Sequence, residues 1–312
     1  MNKLSEMHAF VAVVDAGSFT EAARRLGTTK SVISERVQML EQRLGAVLLQ
    51  RGRGAAATEA GQVFHEYCVR ILADVGEAED AVLSANTSLR GSLRVAAPLA
   101  FTVQYLGPML SAFSLRYPEL RLDVETDDRY VNLHEGNFDL AIRMGQLPDS
   151  SLVARPIAPN RHLICASPGY LAAHGTPAHP TELRHHQGLL YSNREPHGMW
   201  QLPVQGELQS FRIHGRLRTD SGHHLLAAAR DGLGLAILPA FLAAPAIAAG
   251  ELRIVLPGYQ PSGGQISAVY RRSHRASPKI HALADFLAGQ IGQPAVWEVA
   301  IADHLASAGL GS

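Results

Sequence analysis

Cysteine is scarce in this chain of 312 residues: Cys68 and Cys165 are the two it holds. Two thiols cannot build a disulfide framework, and reduced thiols in a cytoplasm are the plain expectation. Long apolar runs are missing as well. No uncharged stretch spans a bilayer, so no transmembrane helix and no membrane partner are expected. The N-terminus, MNKLSEMHAFVAVVDAGSF, interrupts its apolar residues with Glu6 and Asp15 and lacks a cleavage site, so a signal peptide is not expected. An excess of one charge is absent too: 28 Lys and Arg face 28 Asp and Glu, which excludes a polycation. Three catalytic anchors are missing. No Gly-x-Ser-x-Gly elbow occurs, no Gly-x-Gly-x-x-Gly opens a helix after a strand, and no zinc ligand set is read at His185-His186 or His223-His224. Metal and cofactor are therefore expected to be none, and the chain is not expected to be an enzyme. Hydrophobic content of 46% with 18% charged residues describes a globular protein, long enough for two or three domains.

The most informative stretch is Ser18 to Leu44. Ser18 with Glu21 fits a capping box at a helix start. Ala22, Ala23 and Leu26 form a stripe at helical spacing, small where another helix must come close. Gly27 supplies a turn through positive φ. Thr28 and Thr29 are cap candidates for a second helix, whose Val32, Ile33, Val37 and Leu40 face inward. Lys30, Ser31, Ser34, Glu35, Arg36 and Gln38 face outward. A helical hairpin of no special purpose has this spacing, and so does a helix-turn-helix whose second helix enters the major groove. Residues 1–57 hold eight Lys/Arg against five acids, a local excess compatible with phosphate contacts.

An amphipathic helix at 3–16, with Leu4, Met7, Phe10, Val11 and Val14 on one side, completes a three-helix core. Val47 to Leu49 suits a short strand, and Arg51-Gly52-Arg53-Gly54 a basic hairpin tip, or else a plain solvated turn. Thr58 caps a long helix in which Ala60, Phe64, Tyr67, Ile71, Val75, Ala78 and Val82 step by threes and fours. That stripe needs a cover, which a second copy of the helix would supply. The C-terminal domain is the other possible cover.

From Ser92 the period changes. Strands are expected at 93–97, 120–124, 139–142, 162–166, 214–217, 235–238 and 266–270. Helices are expected at 103–116, 130–135, 168–174, 222–230 and 278–289. Alternating strands and helices imply two α/β lobes with largely parallel sheets, and a ligand in the cleft between them. His185-His186 and His223-His224 read as surface histidines, because neighbours on a helix do not face each other. A buried, inert thiol is the expectation for Cys165, since an oxidant sensor needs a lowered pKa and a resolving partner.

The run RRLGTTKSVISERVQMLEQRLGAVLLQR followed by TEAGQ resembles the winged-helix domain of LysR-type transcriptional regulators. The segments GSLRVAAP, YPELRLDVETDD, NFDLAIRMG and DGLGLAILP resemble that family's effector-binding domain, in order. The resemblance covers about residues 3 to 290 and leaves the tail unassigned. It implies a winged helix-turn-helix, a long linker helix and a two-lobed α/β domain like periplasmic binding proteins. The implied divisions are 1–57 for DNA binding, 58–90 for the dimerising helix and hinge, 91–161 with 267–290 for one lobe, and 162–266 for the other, leaving 291–312.

It implies a cytoplasmic regulator that binds double-stranded DNA and a small-molecule effector, as a homodimer through the linker helix and as a tetramer. DNA contacts fall on Thr29, Lys30, Ser31, Ser34 and Arg36, with Arg51 and Arg53 in the wing. Lys30 stands where the family carries Gln, which favours guanine or phosphate over adenine. Effector contacts fall on Pro98, Leu99, Ala100, Phe101 and Thr102 after the first strand. Arg143, Gly145, Asn193, Asp220, Ser221 and Gly222 are further cleft candidates. Arg143 would pair with a carboxylate effector, or else form a salt bridge within its lobe. A solute-binding protein or an enzyme built on the two lobes is the competing reading.

Overall fold

The computed structural model describes residues 2–50, 55–83, 89–127, 138–145, 152–194 and 198–310, with backbone alone at 73 and 77–83. It divides into two units, Met1–Thr87 and Ser88–Ser312. The expected helix at 130–135, the wing tip 51–54, and the outer stripe residues Ala78 and Val82 lie outside what is described.

In the first unit, α1 (Lys3–Ala16), α2 (Phe19–Arg25) and α3 (Lys30–Leu44) enclose one core with the start of α4 (Glu59–Leu83). Ser18 caps α2, accepting from the Glu21 backbone N–H at 3.5 Å. Glu21 does not complete a capping box. Its carboxylate takes Arg24 at 2.7 and 2.9 Å and Arg25 at 3.1 Å instead, which holds its pKa down at about 2. Charge-assisted bonds outcompete one backbone N–H. Gly27 turns the chain at φ 61°, and Thr29 caps α3. The fully buried residues of α1 are Glu6, Ala9, Phe10 and Val13; of the expected set Phe10 is among them, Met7, Val11 and Val14 pack partly buried against the core, and Leu4 is exposed. Ala9 and Val13 stand one turn apart beside Glu6 and Phe10, which turns the buried stripe slightly from the expected one.

In the second unit, β1 (Gly91–Ala97) leads into α5 (Leu99–Phe101), which runs through a π-type turn at Thr102–Leu106 into α6 (Gly107–Arg116). The helix thus starts before the expected Val103. There follow β2 (Leu120–Thr126), β3 (Leu140–Gly145), β4 (Leu152–Pro159), β5 (His162–Ala166), α7 (Pro168–His174) and β6 (Gly188–Tyr191). Then come β7 (Met199–Val204), β8 (Glu207–Arg212), β9 (Arg218–Thr219), α8 (Gly222–Arg230), β10 (Leu235–Pro239), α9 (Ala240–Ala248) and β11 (Arg253–Ile254). Last are β12 (Gln265–Arg271), α10 (Pro278–Ile291), α11 (Val296–Val299) and α12 (Ala302–Ser307).

The first sheet has the order β2-β1-β3-β12-β4, and the second β11-β5-β10-β6-β9. Both are mixed rather than largely parallel. β12 returns from the second lobe and runs antiparallel to β3 and β4, while β5 enters the second lobe antiparallel to β10. The expected strand at 214–217 reduces to one bridge from His214 to Gln187, and regular pairing falls on Arg218–Thr219. β7 and β8 form a separate hairpin.

The unassigned tail is part of the core. Trp297, Ile301 and Leu305 are buried. Trp297 meets Tyr105 at 4.9 Å, Phe101 at 5.9 Å and Phe241 at 6.1 Å between ring centroids. Phe101 follows a strand of the first sheet and Phe241 a strand of the second, so one indole packs against both lobes. Arg161, in the crossing between them, pairs with Glu298 at 3.0 Å and donates to the Leu310 carbonyl at 3.2 Å.

Candidate nucleic-acid interface and ligand cavity

The cations of α2 and α3 sort into two groups. Arg24 and Arg25 are held by Glu21, and Arg43 donates to Glu6 at 2.8 and 3.1 Å. Lys30 and Arg36, on the outer side of α3, have no acid partner among the described residues. Lys30, Ser31 and Ser34 are exposed and Arg36 is half-buried. Thr29 and Ser31 share a hydroxyl contact at 2.9 Å, and Thr29 also caps the helix. Thr29, Lys30, Ser31, Ser34 and Arg36 therefore occupy the N-terminal turns of one helix whose other side, Ile33, Val37 and Leu40, is core. Arg51 and Arg53 lie outside the described residues.

The base of the wing is fixed from both sides. Glu41 accepts from the Leu48 and Leu49 backbone N–H groups at 2.7 and 3.1 Å, and Leu49 bridges to Ala57. Thr58 donates its hydroxyl to the Val47 and Leu48 carbonyls and accepts from Gly61 N–H at 3.0 Å. On α4, Cys68 is buried in the unit core, while Val63, Tyr67 and Ile71 are exposed. Burial raises the Cys68 thiol to about 11.

The second unit holds a cavity of about 340 Å³ bounded by the ends of strands from both sheets. Its floor is apolar, with Ile237, Leu238, Phe241 and Leu242 among its residues. Of the expected residues, Pro98, Ala100, Arg143, Gly145, Asn193 and Gly222 line it. Leu99, Phe101, Thr102, Asp220 and Ser221 do not. Leu99 is exposed, Phe101 is in the core under Trp297, and Thr102 donates its hydroxyl back to the Pro98 carbonyl at 2.8 Å. Asp220 is exposed, and Ser221 spends its hydroxyl capping α8.

The sequence reading missed Asp127, Asn160, His162, Tyr191, Arg194 and Ser262 in the lining. Arg194 sits beside the Asn193 that was expected. Burial, helped by the nearby Arg194 charge, pushes His162 down to about 3, so its imidazole is neutral at neutral pH. Asn160 and His162 flank the crossing between β4 and β5, which no periodicity marks. His186 is buried, with Nδ1 at 3.2 Å from the Tyr170 hydroxyl, so it is not a surface residue as expected. Cys165 is buried and pushed up to about 12 by desolvation. No cluster of three His, Cys, Asp or Glu suited to a metal occurs among the described residues. None of the described helices is long and apolar enough to cross a membrane.

A capped helix pair with a polar outer side and a two-lobed α/β unit around a cavity define a ligand-responsive regulator of the helix-turn-helix class. Residues 4–62 match the bacterial regulatory helix-turn-helix protein, lysR family, and residues 86–292 match the LysR substrate binding domain. An HTH-type transcriptional regulator of Xanthomonas campestris is 38% identical over 289 residues, covering 91% of this chain and 84% of that one. The HTH-type transcriptional activator TtdR of Escherichia coli is 33% identical over 296 residues, covering 93% and 95%. The structure of CrgA, a LysR-type transcriptional regulator from Neisseria meningitidis, aligns with a TM-score of 0.60 at 32% identity, covering 92% and 98%. The chain belongs to the LysR family of transcriptional regulators. These relatives are regulators, not enzymes or solute-binding proteins.

Proposed function

We propose that α3 reads double-stranded DNA through Thr29, Lys30, Ser31, Ser34 and Arg36, and that Arg51 and Arg53 grip the phosphate backbone beside it. The observation that carries this is the sorting of cations. Three arginines of the first unit are tied to acids, while Lys30 and Arg36 stand without one on the exposed side of a capped helix. Phosphates or guanine edges are the partners that suit them. On this reading residues 1–57 bind DNA and 58–90 pair two chains. Residues 91–161 with 267–290 and residues 162–266 then form the lobes. Exposed Tyr67 and Ile71 on α4 support a dimer through that helix, and two such dimers would make a tetramer.

The cavity binds a small-molecule carboxylate, supported by Arg143 and Arg194 in its lining. An effector that prefers one lobe geometry shifts the assembly between arrangements and changes its hold on paired half-sites. The protein works in the cytoplasm, where its DNA is, and catalyses no reaction. Footprinting on the DNA upstream of its own gene, with and without a carboxylate panel, tests this. Protection that changes with one carboxylate is the expected outcome, and absence of protection under every condition overturns it.

A further inference from the structure

Residues 295–310 pack across the junction of the lobes rather than on either one. Ala295, Trp297, Ile301 and Leu305 are buried in the core that also holds Leu93 and Val95 of the first sheet and Leu163 and Cys165 of the second. Phe101 and Phe241 meet edge-on at 5.1 Å, where α5 of the first lobe reaches α9 of the second. Trp297 touches both partners of that contact, and Tyr105 in the π-type turn as well. Phe241 lines the cavity, so the indole backs one of its walls. Two polar contacts of the tail fall on the crossing itself. Arg161 lies between Asn160 and His162, which are both in the cavity lining. Its Nε donates to Glu298 Oε1 at 3.0 Å, and its Nη1 donates to the Leu310 carbonyl at 3.2 Å. Its own carbonyl accepts from the Ala240 N–H, at the start of α9, at 2.8 Å. The tail thus holds the side chain of the crossing, and the second lobe holds its backbone.

We propose that residues 295–310 are an interlobe latch, in which Trp297 and the Arg161–Glu298 pair hold the two lobes at one spacing around the cavity. The lobes cannot change their angle about this crossing while all of these contacts stay. Hydrogen bonds weaken steeply as they bend, and close-packed rings do not yield continuously. A tail that served one lobe alone would ride with it and leave the angle free. Rearrangement of the lobes therefore works against the tail, which sets how readily the regulator leaves the arrangement seen here. The latch does not depend on what fills the cavity, so it stands or falls apart from the carboxylate reading.

Pulsed dipolar EPR on the full chain tests the inference. Spin labels carried by Ser273→Cys, in the turn after β12, and by Ala172→Cys, on α7, put one probe on each lobe at exposed positions. Cys68 and Cys165 are buried and stay unlabelled. Dilution into an excess of unlabelled chain confines the signal to distances within one copy. The expected wild-type result is one narrow distance. Arg161→Ala removes both ties to the crossing, and should broaden the distribution or shift its centre by about 2 Å or more. Arg161→Lys, which still reaches one acceptor, should fall between. Trp297→Ala should broaden it further, and Trp297→Phe, which keeps a ring in place, should broaden it less. A tail that merely filled core would lower the melting temperature and leave the distance where it was. Arg161→Ala keeps the indole in place, so the test survives a Trp297→Ala protein that does not fold. A wild-type distribution that is already broad, or a distance unchanged in folded Arg161→Ala, overturns the latch.

Discussion

Gly61 brings α4 so close to the wing that a β-carbon on it would stand 2.0 Å from the Leu48 carbonyl oxygen. The obstacle is backbone, and Glu41 holds the same residue by its N–H, so Leu48 cannot yield. Gly61→Ala should therefore push the wing off the helix. A loss of about 1–3 kcal/mol in the stability of the first unit is expected, the usual cost of an atom with no room. Thermal unfolding of the variant checks it, and DNA affinity should fall in parallel. An unchanged melting curve would show that the close approach is not rigid.

Glu6 keeps 4% of its side chain accessible, against 34% for its partner Arg43. Arg43→Met should strand that carboxylate and cost up to about 3 kcal/mol, the low end of the buried-pair range because Arg43 still reaches water. Adding Glu6→Met should recover most of the loss. Denaturant unfolding of the single and double variants measures the coupling, and additive losses would refute it.

Base reading and phosphate gripping separate by residue. Arg36→Ala should lose about 1–3 kcal/mol of discrimination between operator and random DNA. Arg51→Ala should weaken both alike and lower the slope of log affinity against log salt by about one. Binding isotherms at several salt concentrations resolve the two. Equal effects on both DNAs from both variants would sink the division.

His162 titrates near 6.5 when unfolded and at about 3 when folded. The unfolded chain therefore takes up a proton first as pH falls. Stability from the neutral ring is complete above pH 6.5 and is lost progressively towards pH 3. At pH 5 the loss is about 2 kcal/mol, from about 1.4 kcal/mol per pH unit. His162→Gln should remove this part of the acid limb, so the gap between its stabilities at pH 7 and pH 5 should be smaller than the wild type's. A variant with the same gap would show that the ring is protonated in the fold.

Trp297→Ala should destabilise the second unit by about 3–5 kcal/mol, because it empties an aromatic contact made from both lobes. The first unit should melt unchanged. Trp200 and Trp297 are the two tryptophans of the chain, so fluorescence of the Trp200→Phe protein follows this site alone.

Much of this was legible in the sequence, for reasons that differ by region. The α2–α3 pair announces itself because Ser18, Gly27 and Thr29 are local signals, and all three act at the expected places. Glu21 was misread because Arg24 and Arg25 compete for it at equally local spacing. The lobes were legible from alternation, but the strand directions were not, since they depend on where the chain crosses between sheets. The cavity was half legible. Pro98, Gly145 and Gly222 end or begin regular elements, where a ligand is expected. Asn160, His162 and Ser262 belong to connections whose meeting is purely tertiary. The tail gave no sign, because Trp297 and Ile301 look like any short helix until their surroundings are known.

The place of β12 has a bearing on birth at the ribosome. It lies between β3 and β4, yet it is made only after every strand of the second sheet. The second lobe is continuous in sequence and can settle as it emerges. The first must wait with a gap in its middle, its β4 edge unpaired, until translation has passed Arg271. A pause site or a nick inside the second lobe would therefore injure the lobe it does not belong to.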